Sequence, residues 1–234
     1  MDGPILVAIP SHNEAAYVGP VVEACLPRVD EVWVVDDGST DETRSIAAAA
    51  GAQIFSRGVN GGYGAAIASC FEVARMRGAR ALVTIDGDGQ HNPDELPDVL
   101  EPVLSGRADV SVGSRFLGRP TNVPAYRRFG IDVITGLYNL GHSPITDAQC
   151  GFRAYGPRAI QAAQPRDPGM GASVETLILA RGSGLQIIEV AVSCRYHAGG
   201  SSIHPVRHGL GVAMKVVEHR LRRRLALRGG GHRE

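Results

Sequence analysis

Long apolar runs, net charge, paired cysteines and nucleotide-fingerprint loops are all missing from this chain of 234 residues, and each absence narrows what it does. No apolar stretch approaches the roughly 20 residues that a membrane-spanning helix needs. No basic segment with a long apolar stretch precedes the strand-like Ile5 to Ile9, which argues against a signal peptide. The formal charge is zero, and the basic residues gather late: residues 204 to 234 hold eight Lys/Arg against two acids, the first 203 residues sixteen against twenty-two. That distribution gives no basic body for nucleic acid. Cys25, Cys70, Cys150 and Cys194 form no C-x-x-C pair and suit buried thiols in a reducing cytoplasm. Neither G-x-G-x-x-G nor G-x-x-x-x-G-K-[ST] occurs, and no repeat or low-complexity linker divides the chain.

What is present is a 44% hydrophobic composition, enough for a substantial core, and an alternation of short strands with helices. Strands are expected at Pro4 to Pro10, Glu31 to Asp36, Ala52 to Phe55, Ala81 to Asp86 and Asp109 to Gly113. Helices are expected near 14 to 26, 41 to 50, 62 to 77 and 93 to 104, the second capped by Thr40 and stopped by Gly51. This rhythm is that of βαβ units around a mostly parallel sheet with helices on both faces, an α/β single domain. Past Pro120 it loosens into a helix at 126 to 140, a strand at Cys150 to Tyr155, a helix at 172 to 182 and a strand at Gln186 to Ser193. The second half is expected to close over a sheet supplied by the first.

The chemistry sits where strands end. The fourth strand runs into Asp86-Gly87-Asp88-Gly89-Gln90-His91, two carboxylates one residue apart in a Gly-rich turn. Such a pair is either a solvated turn or a station for a divalent cation with hard oxygen ligands. The first strand ends in Pro10-Ser11-His12-Asn13-Glu14 and the second in Asp36-Asp37-Gly38-Ser39-Thr40-Asp41. Parallel connectivity brings Glu14, Asp37 and the Asp86/Asp88 pair to the carboxyl edge where open α/β sheets bind ligands. Asp37 is the candidate for nucleoside contact, and Asp36, nearer the strand interior, for turn support. The glycines of Asn60-Gly61-Gly62-Tyr63-Gly64 suit close packing of a helix on the sheet better than a phosphate cradle.

Together these motifs, with Gly113-Ser114-Arg115 and Asp147 to Arg153 following in order, resemble glycosyltransferase family 2, of GT-A fold, and within it the dolichol-phosphate mannose synthase and polyprenyl-phosphate branch. The resemblance spans about residues 4 to 200 and implies one catalytic domain over 1–203, with 204–234 as a separate basic tail. It implies that Pro10, His12, Glu14, Val35 and Asp37 line the nucleoside pocket and that Asp86 and Gly87 reach ribose or phosphate. Asp88, with Asp86 and Gln90, would hold Mg²⁺ or Mn²⁺, and Arg115 would meet phosphate; Arg127 and Arg128 are either further substrate-binding cations, Arg128 first, or surface residues without a ligand. His12 stands where the branch commonly has Tyr. In the loop Arg195 to Ile203, Ser202 stands where many of these enzymes have Lys, leaving Arg195, His197 or Arg207 to grip phosphate.

The implied reaction is inverting, metal-dependent transfer of a hexose from a nucleotide sugar of GDP-mannose or UDP-glucose type to polyprenyl phosphate. A phosphate acceptor, with a second pKa of about 6, attacks unaided. A soluble hydroxyl acceptor would need a base, first Asp147 and then Glu175. A sugar-phosphate nucleotidyltransferase lacks its required Gly-rich loop with Arg and Lys after the first strand, and intact Asp37, Asp86, Asp88 and Arg115 argue against a binding-only protein. Leu210, Met214, Val217, Leu221 and Leu225 recur at helical spacing among basic residues. That amphipathic pattern suits either a second subunit, making a homodimer, or an anionic membrane surface. The expected location is cytoplasmic, peripheral on the inner face of the membrane.

Overall fold

β-branched residues crowd the short apolar segments, and these become strands because such side chains pack well on a pleated surface. The computed structural model describes residues 3–140 and 143–196. Its elements are β1 (Ile5–Ser11), α1 (Val18–Cys25), β2 (Glu31–Asp36), α2 (Thr43–Ala49), β3 (Gln53–Ser56), α3 (Tyr63–Met76) and β4 (Ala81–Thr84). They continue with α4 (Leu96–Leu104), β5 (Val110–Ser114), α5 (Ala125–Asn139), β6 (Arg153–Tyr155), α6 (Pro157–Ala162), α7 (Gly171–Gly182) and β7 (Ile187–Ala191). All seven strands form one sheet in the order β3-β2-β1-β4-β6-β5-β7. Every pairing is parallel except those of β6, which runs antiparallel to both β4 and β5.

The period-2 alternation of β1 divides the core. Leu6 and Ala8 pack on one face with α3, α6, α7 and the inner side of α5, and Val7 and Ile9 pack on the other with α1 and α4. Chain order reverses at β1, which lies between β2 and β4, and this switch point is where such sheets open a crevice. The carboxyl ends of β1, β2, β4, β5 and β7 share one edge. Because β6 is reversed, its first residue, Arg153, lies there too, opposite Thr84 and Val112. The segment 147–152 is thereby delivered to the same edge.

The α/β, mostly parallel expectation holds, with three local departures. The second half extends the sheet through β5, β6 and β7 instead of closing over it. Thr40 does not cap α2: the capping position is Glu42, and the Asp41 carboxylate accepts from the Thr43 amide at 3.0 Å. Helix α6, only six residues long and begun by Pro157, was too short to show a period. The amphipathic pattern of 208 to 228, with His197, Ser202 and Arg207, lies outside the described residues.

Candidate active site

The loop after β1 is pinned to the loop after β2. Asn13, at φ 57, donates its amide to Ser39 Oγ and accepts from the Thr40 amide, and the Glu14 amide donates to Thr43 Oγ1. These bonds hold the Glu14 side chain half-buried toward the β4 loop. Its pKa is pushed up to about 7, by burial first and then by the charges of Asp88, Asp86 and Asp41. Asp86 is likewise raised by burial and by Asp88, against the lowering influence of His91, Arg115 and Arg153. Tyr63 donates its hydroxyl to Asp86 at 3.4 Å, and Asp88 accepts from the Gln90 amide at 3.0 Å.

Two glycines make this approach possible. A Cβ on Gly87 would lie 2.5 Å from Ser11 Oγ, and one on Gly151 would lie 2.7 Å from Asp86 Oδ1. None of Glu14, Asp86 and Asp88 forms an ion pair among the described residues. Asp86 and Asp88, carboxylates one residue apart, are ligands of the hard-oxygen type that a divalent ion takes. Among the described residues no group of three His, Cys, Asp or Glu is arranged to hold a metal ion.

Beside this cluster lies the Asp36-Asp37 turn. Asp36 is wholly buried and accepts from the Ser39 amide and Ser56 Oγ, so it supports the turn. Asp37 is nearly as buried, and its carboxylate accepts from Arg57 Nε at 2.8 Å and from the Gly61 and Gly62 amides at 3.0 and 2.8 Å. The glycines therefore fold over Asp37. Gly64 makes its close approach to the 167–169 loop, where a Cβ would lie 2.7 Å from the Gly169 carbonyl, and not to the sheet as the sequence suggested. His12 is exposed, with Nδ1 3.0 Å from the Asp37 carbonyl. Pro10 and Val35 are register partners in β1 and β2. Val35 is enclosed with α3 in the core, so it has only backbone to offer a nucleoside.

Across the edge, Arg115 follows β5 and is bound by Asp147. Its Nε and Nη2 donate to Asp147 Oδ2 and Oδ1 at 2.6 and 2.8 Å, and Nη1 donates to the Tyr196 hydroxyl at 2.6 Å. Both partners are buried. Asp147 also accepts from the Arg115 and Gln149 amides, at 3.3 and 3.2 Å. Four donors fill the roughly four lone-pair positions of a carboxylate. In this arrangement the Asp147 carboxylate holds Arg115, and its lone-pair positions are occupied by donors of the chain itself, a geometry that suits a positioning role better than the expected general base. Arg115 has five N–H groups, of which Nη1 and Nη2 each keep one for a ligand.

The other candidates are placed as plainly. Glu175 accepts from the Arg166 and Asp167 amides, both at 2.8 Å, and acts as a loop staple. Arg128 is exposed, its guanidinium 4.6 Å from the Phe116 ring centre and 3.8 Å from Asp132, and Arg127 lies over Tyr196 at 5.1 Å. Arg195 donates its amide to the Gln90 carbonyl at 2.8 Å, tying the late loop to the acidic turn. Arg153, at the end of the Asp147 to Arg153 motif, is buried, donating to the Cys150, Ala148 and Ser173 carbonyls and to Thr176 Oγ1.

Sequence reading missed Gly151, Glu189 and Tyr196. Glu189 accepts from the Thr146 and Asp147 amides and so sets Asp147 in place, and a lone acid inside the apolar β7 was its available signal. Gly151 and Tyr196 carry no local signal, because their roles are contacts with residues far along the chain.

Residues 6–161 match the family described as glycosyl transferase family 2. The chain is 32% identical over 204 residues to the undecaprenyl-phosphate mannosyltransferase of Micrococcus luteus, covering 81% of this chain and 82% of that one. It is 30% identical over 217 residues to the UDP-N-acetylglucosamine–dolichyl-phosphate N-acetylglucosaminyltransferase of Methanococcus voltae, covering 82% and 86%. A crystal structure of glucosyl-3-phosphoglycerate synthase from Mycobacterium tuberculosis superposes with a TM-score of 0.76 at 22% identity, over 94% of this chain and 80% of that one, a likeness of fold. With the family matched across two-thirds of the chain and its motifs gathered at one sheet edge, the protein belongs to glycosyltransferase family 2 and is a glycosyltransferase of GT-A fold.

Proposed function

We propose that this glycosyltransferase moves a hexose, with inversion, from a nucleoside diphosphate sugar of GDP-mannose or UDP-glucose type to a polyprenyl phosphate, working from the cytoplasmic side at the membrane surface. The observation that carries the reading is a pair of stations at one edge: the carboxylates Glu14, Asp86 and Asp88, which form no ion pair among the described residues, and a guanidinium, Arg115, that a buried carboxylate holds in place.

His12, Glu14 and Asp37 sit where the nucleoside would lie, with Asp86 and Gly87 at its ribose and phosphate. Asp88 and Asp86, with Gln90 beside them, would hold Mg²⁺ or Mn²⁺, which when bound supplies charge neutralisation for the departing diphosphate. The two free N–H groups of Arg115 suit an anionic oxygen, since guanidinium binds phosphate in fixed fork geometry. Arg128, at the rim, is a second cation for the same anion. The acceptor oxygen needs no base when it belongs to a phosphate that is already ionised, with a second pKa of about 6. The four hydrogen bonds that Asp147 already accepts agree with such an acceptor. The relatives named for undecaprenyl and dolichyl phosphate support this acceptor class, and the Mn²⁺ and UDP-glucose in the mycobacterial neighbour support the donor and metal.

The test pairs thermal shifts with GDP-, UDP- and dTDP-sugars, with and without Mn²⁺, to transfer of labelled sugar onto polyprenyl phosphate. A ligand that binds only the native state raises its stability by mass action. Asp88→Ala should abolish transfer and the metal-dependent shift while keeping the fold. Full activity in that variant, or in excess chelator, refutes the metal assignment.

A further inference from the structure

Packing explains the glycines of the Asn60-Gly61-Gly62-Tyr63-Gly64 turn but not the whole of the tyrosine among them. Gly62, at φ 90, and Gly64 press against the 167–169 loop. A Cβ on Gly62 would lie 2.5 Å from the Pro168 carbonyl, which accepts from the Gly64 amide at 2.9 Å. The Gly61 and Gly62 amides are held in turn by Asp37. The backbone around Tyr63 is therefore fixed by two separate segments. Tyr63 is the first residue of α3, and its ring packs half-buried against the core that α3 shares with α7. A phenyl ring would serve that packing equally well, so the hydroxyl calls for a different reason.

That hydroxyl reaches Asp86, with Oδ1 at 3.4 Å, and Ser173 of α7 is its second hydrogen-bond partner. A phenol, with a pKa of about 10, stays protonated at neutral pH, so Tyr63 donates and the carboxylate accepts. The torsion that turns an Asp carboxylate about its last bond is broad, and its rotamer alone does not orient the two oxygens. A bond to one oxygen fixes the plane of both. Orientation matters most where few groups share the load, and a small divalent cation is commonly held by only one or two carboxylates together with substrate phosphates.

We propose that Tyr63 is a positioning residue for the donor station: its hydroxyl fixes the plane of the Asp86 carboxylate, so that a divalent cation meets a preset oxygen and not a turning group. This role rests on the reading of Asp86 and Asp88 as the ligands of that cation. It gives the Gly-rich turn after β3 a task in the acidic turn after β4, because the glycines set the backbone from which Tyr63 reaches Asp86. Hydrogen-bond partners of ligating carboxylates typically contribute about 10- to 100-fold in metal affinity.

The test is Tyr63→Phe in the full chain, read by titration with Mn²⁺. Thermal shifts with GDP-mannose and with UDP-glucose at rising Mn²⁺ give an apparent metal affinity without turnover. Transfer of labelled sugar at rising Mn²⁺ gives the half-saturating concentration and, separately, the rate at saturation. In chelator the variant should keep a Tm close to that of wild type, because the ring still packs. Its apparent affinity for Mn²⁺ should fall about 10- to 100-fold. The rate at saturating Mn²⁺ should be largely kept, since excess metal orders the carboxylate that the hydroxyl no longer orders. Equal Mn²⁺ dependence in the two proteins overturns the proposal, whatever the Tm. So does a lower Tm in chelator with a reduced rate at saturation and an unchanged half-saturating concentration, which would make Tyr63 a packing residue. A wild type whose shifts and transfer are indifferent to Mn²⁺ removes the metal reading, and the role of Tyr63 falls with it. That outcome is read in the wild type alone, so it is distinct from a failure of Tyr63.

Discussion

Asp147→Asn separates a positioning carboxylate from a catalytic base. Both partners of the Arg115–Asp147 pair are buried, and the pair is bidentate at 2.6 and 2.8 Å. The substitution keeps the shape, but it removes the charge and turns an amide NH₂ toward a guanidinium. Breaking one side of a buried pair costs about 3 to 5 kcal/mol, because the remaining charge stays buried without compensation. For a chain of this size each kcal/mol moves Tm by about 2 to 4 °C, so a drop of roughly 6 to 20 °C is expected by calorimetry. Arg115→Met/Asp147→Leu should recover most of that loss, since buried pairs replaced by well-packed apolar groups are often neutral or better. It should not recover transfer.

The kinetic signature is as specific. A positioning role predicts a lower transfer rate in Asp147→Asn with an unchanged shape of the pH–rate profile, because no proton passes through the carboxylate. An unchanged Tm together with loss of the acidic limb of the profile, where a base becomes protonated and the rate falls, would refute this reasoning and restore Asp147 as the general base.

Three further outcomes follow from the same geometry. Glu14, with a native pKa of about 7 against 4.5 for the free side chain, binds a proton more tightly when folded, so its contribution falls away as pH rises from 4.5 through 7. In chelator, Glu14→Gln should therefore be the more stable protein at pH 8, by about 1 to 2 kcal/mol after discounting for its partial exposure, and should match wild type at pH 4; parity at pH 8 rejects the acid cluster. Gly151→Ala places a methyl group against the Asp86 carboxylate and should abolish the metal-dependent donor shift with a smaller loss of Tm, which thermal shift reads directly. Arg153→Leu leaves three carbonyls and the Thr176 hydroxyl without their buried donor, at about 1 to 3 kcal/mol for each group left unsatisfied, and should fail in stability before it fails in chemistry.

Much of this was legible because the local code and the tertiary structure agree. Strand β2 was expected at Glu31 to Asp36 and stands there, and α3 and α4 fall within a few residues of expectation. Acids placed at strand ends were brought to one edge by parallel topology, and the raised pKa of Glu14, to which Asp88 and Asp86 contribute after burial, registers that proximity for the β1 and β4 ends. What stayed hidden depends on contacts between distant segments. Nothing near Asp147 announces that its four lone-pair positions are taken, nor does anything near Gly151 announce Asp86. The acid in β7 was visible, but its partners lie 42 and 43 positions away. The structural part of Arg153 was hidden too, because a motif match says where a residue stands in the chain, whereas its burial is set by α7 packing over β6.

The reversed strand β6 explains why one short segment serves both stations. In a purely alternating βαβ sheet the residues before a strand enter at the edge away from the ligand. Reversal of β6 puts them at the ligand edge, between β4 and β5. Residues 147 to 153 then run from Asp147, which fixes Arg115, to Gly151, against which Asp86 closes, to Arg153, which anchors the segment in the core. The spacing between the cation and the acid cluster is thus set by seven consecutive residues, not by two independent loops. Movement of this segment shifts both stations together. Gly151→Ala should on this account alter the Arg115 side as well as the donor side, and the affinity for inorganic phosphate in the absence of donor, measured by calorimetry, decides it. Phosphate affinity identical to wild type would mean that the two stations are built separately.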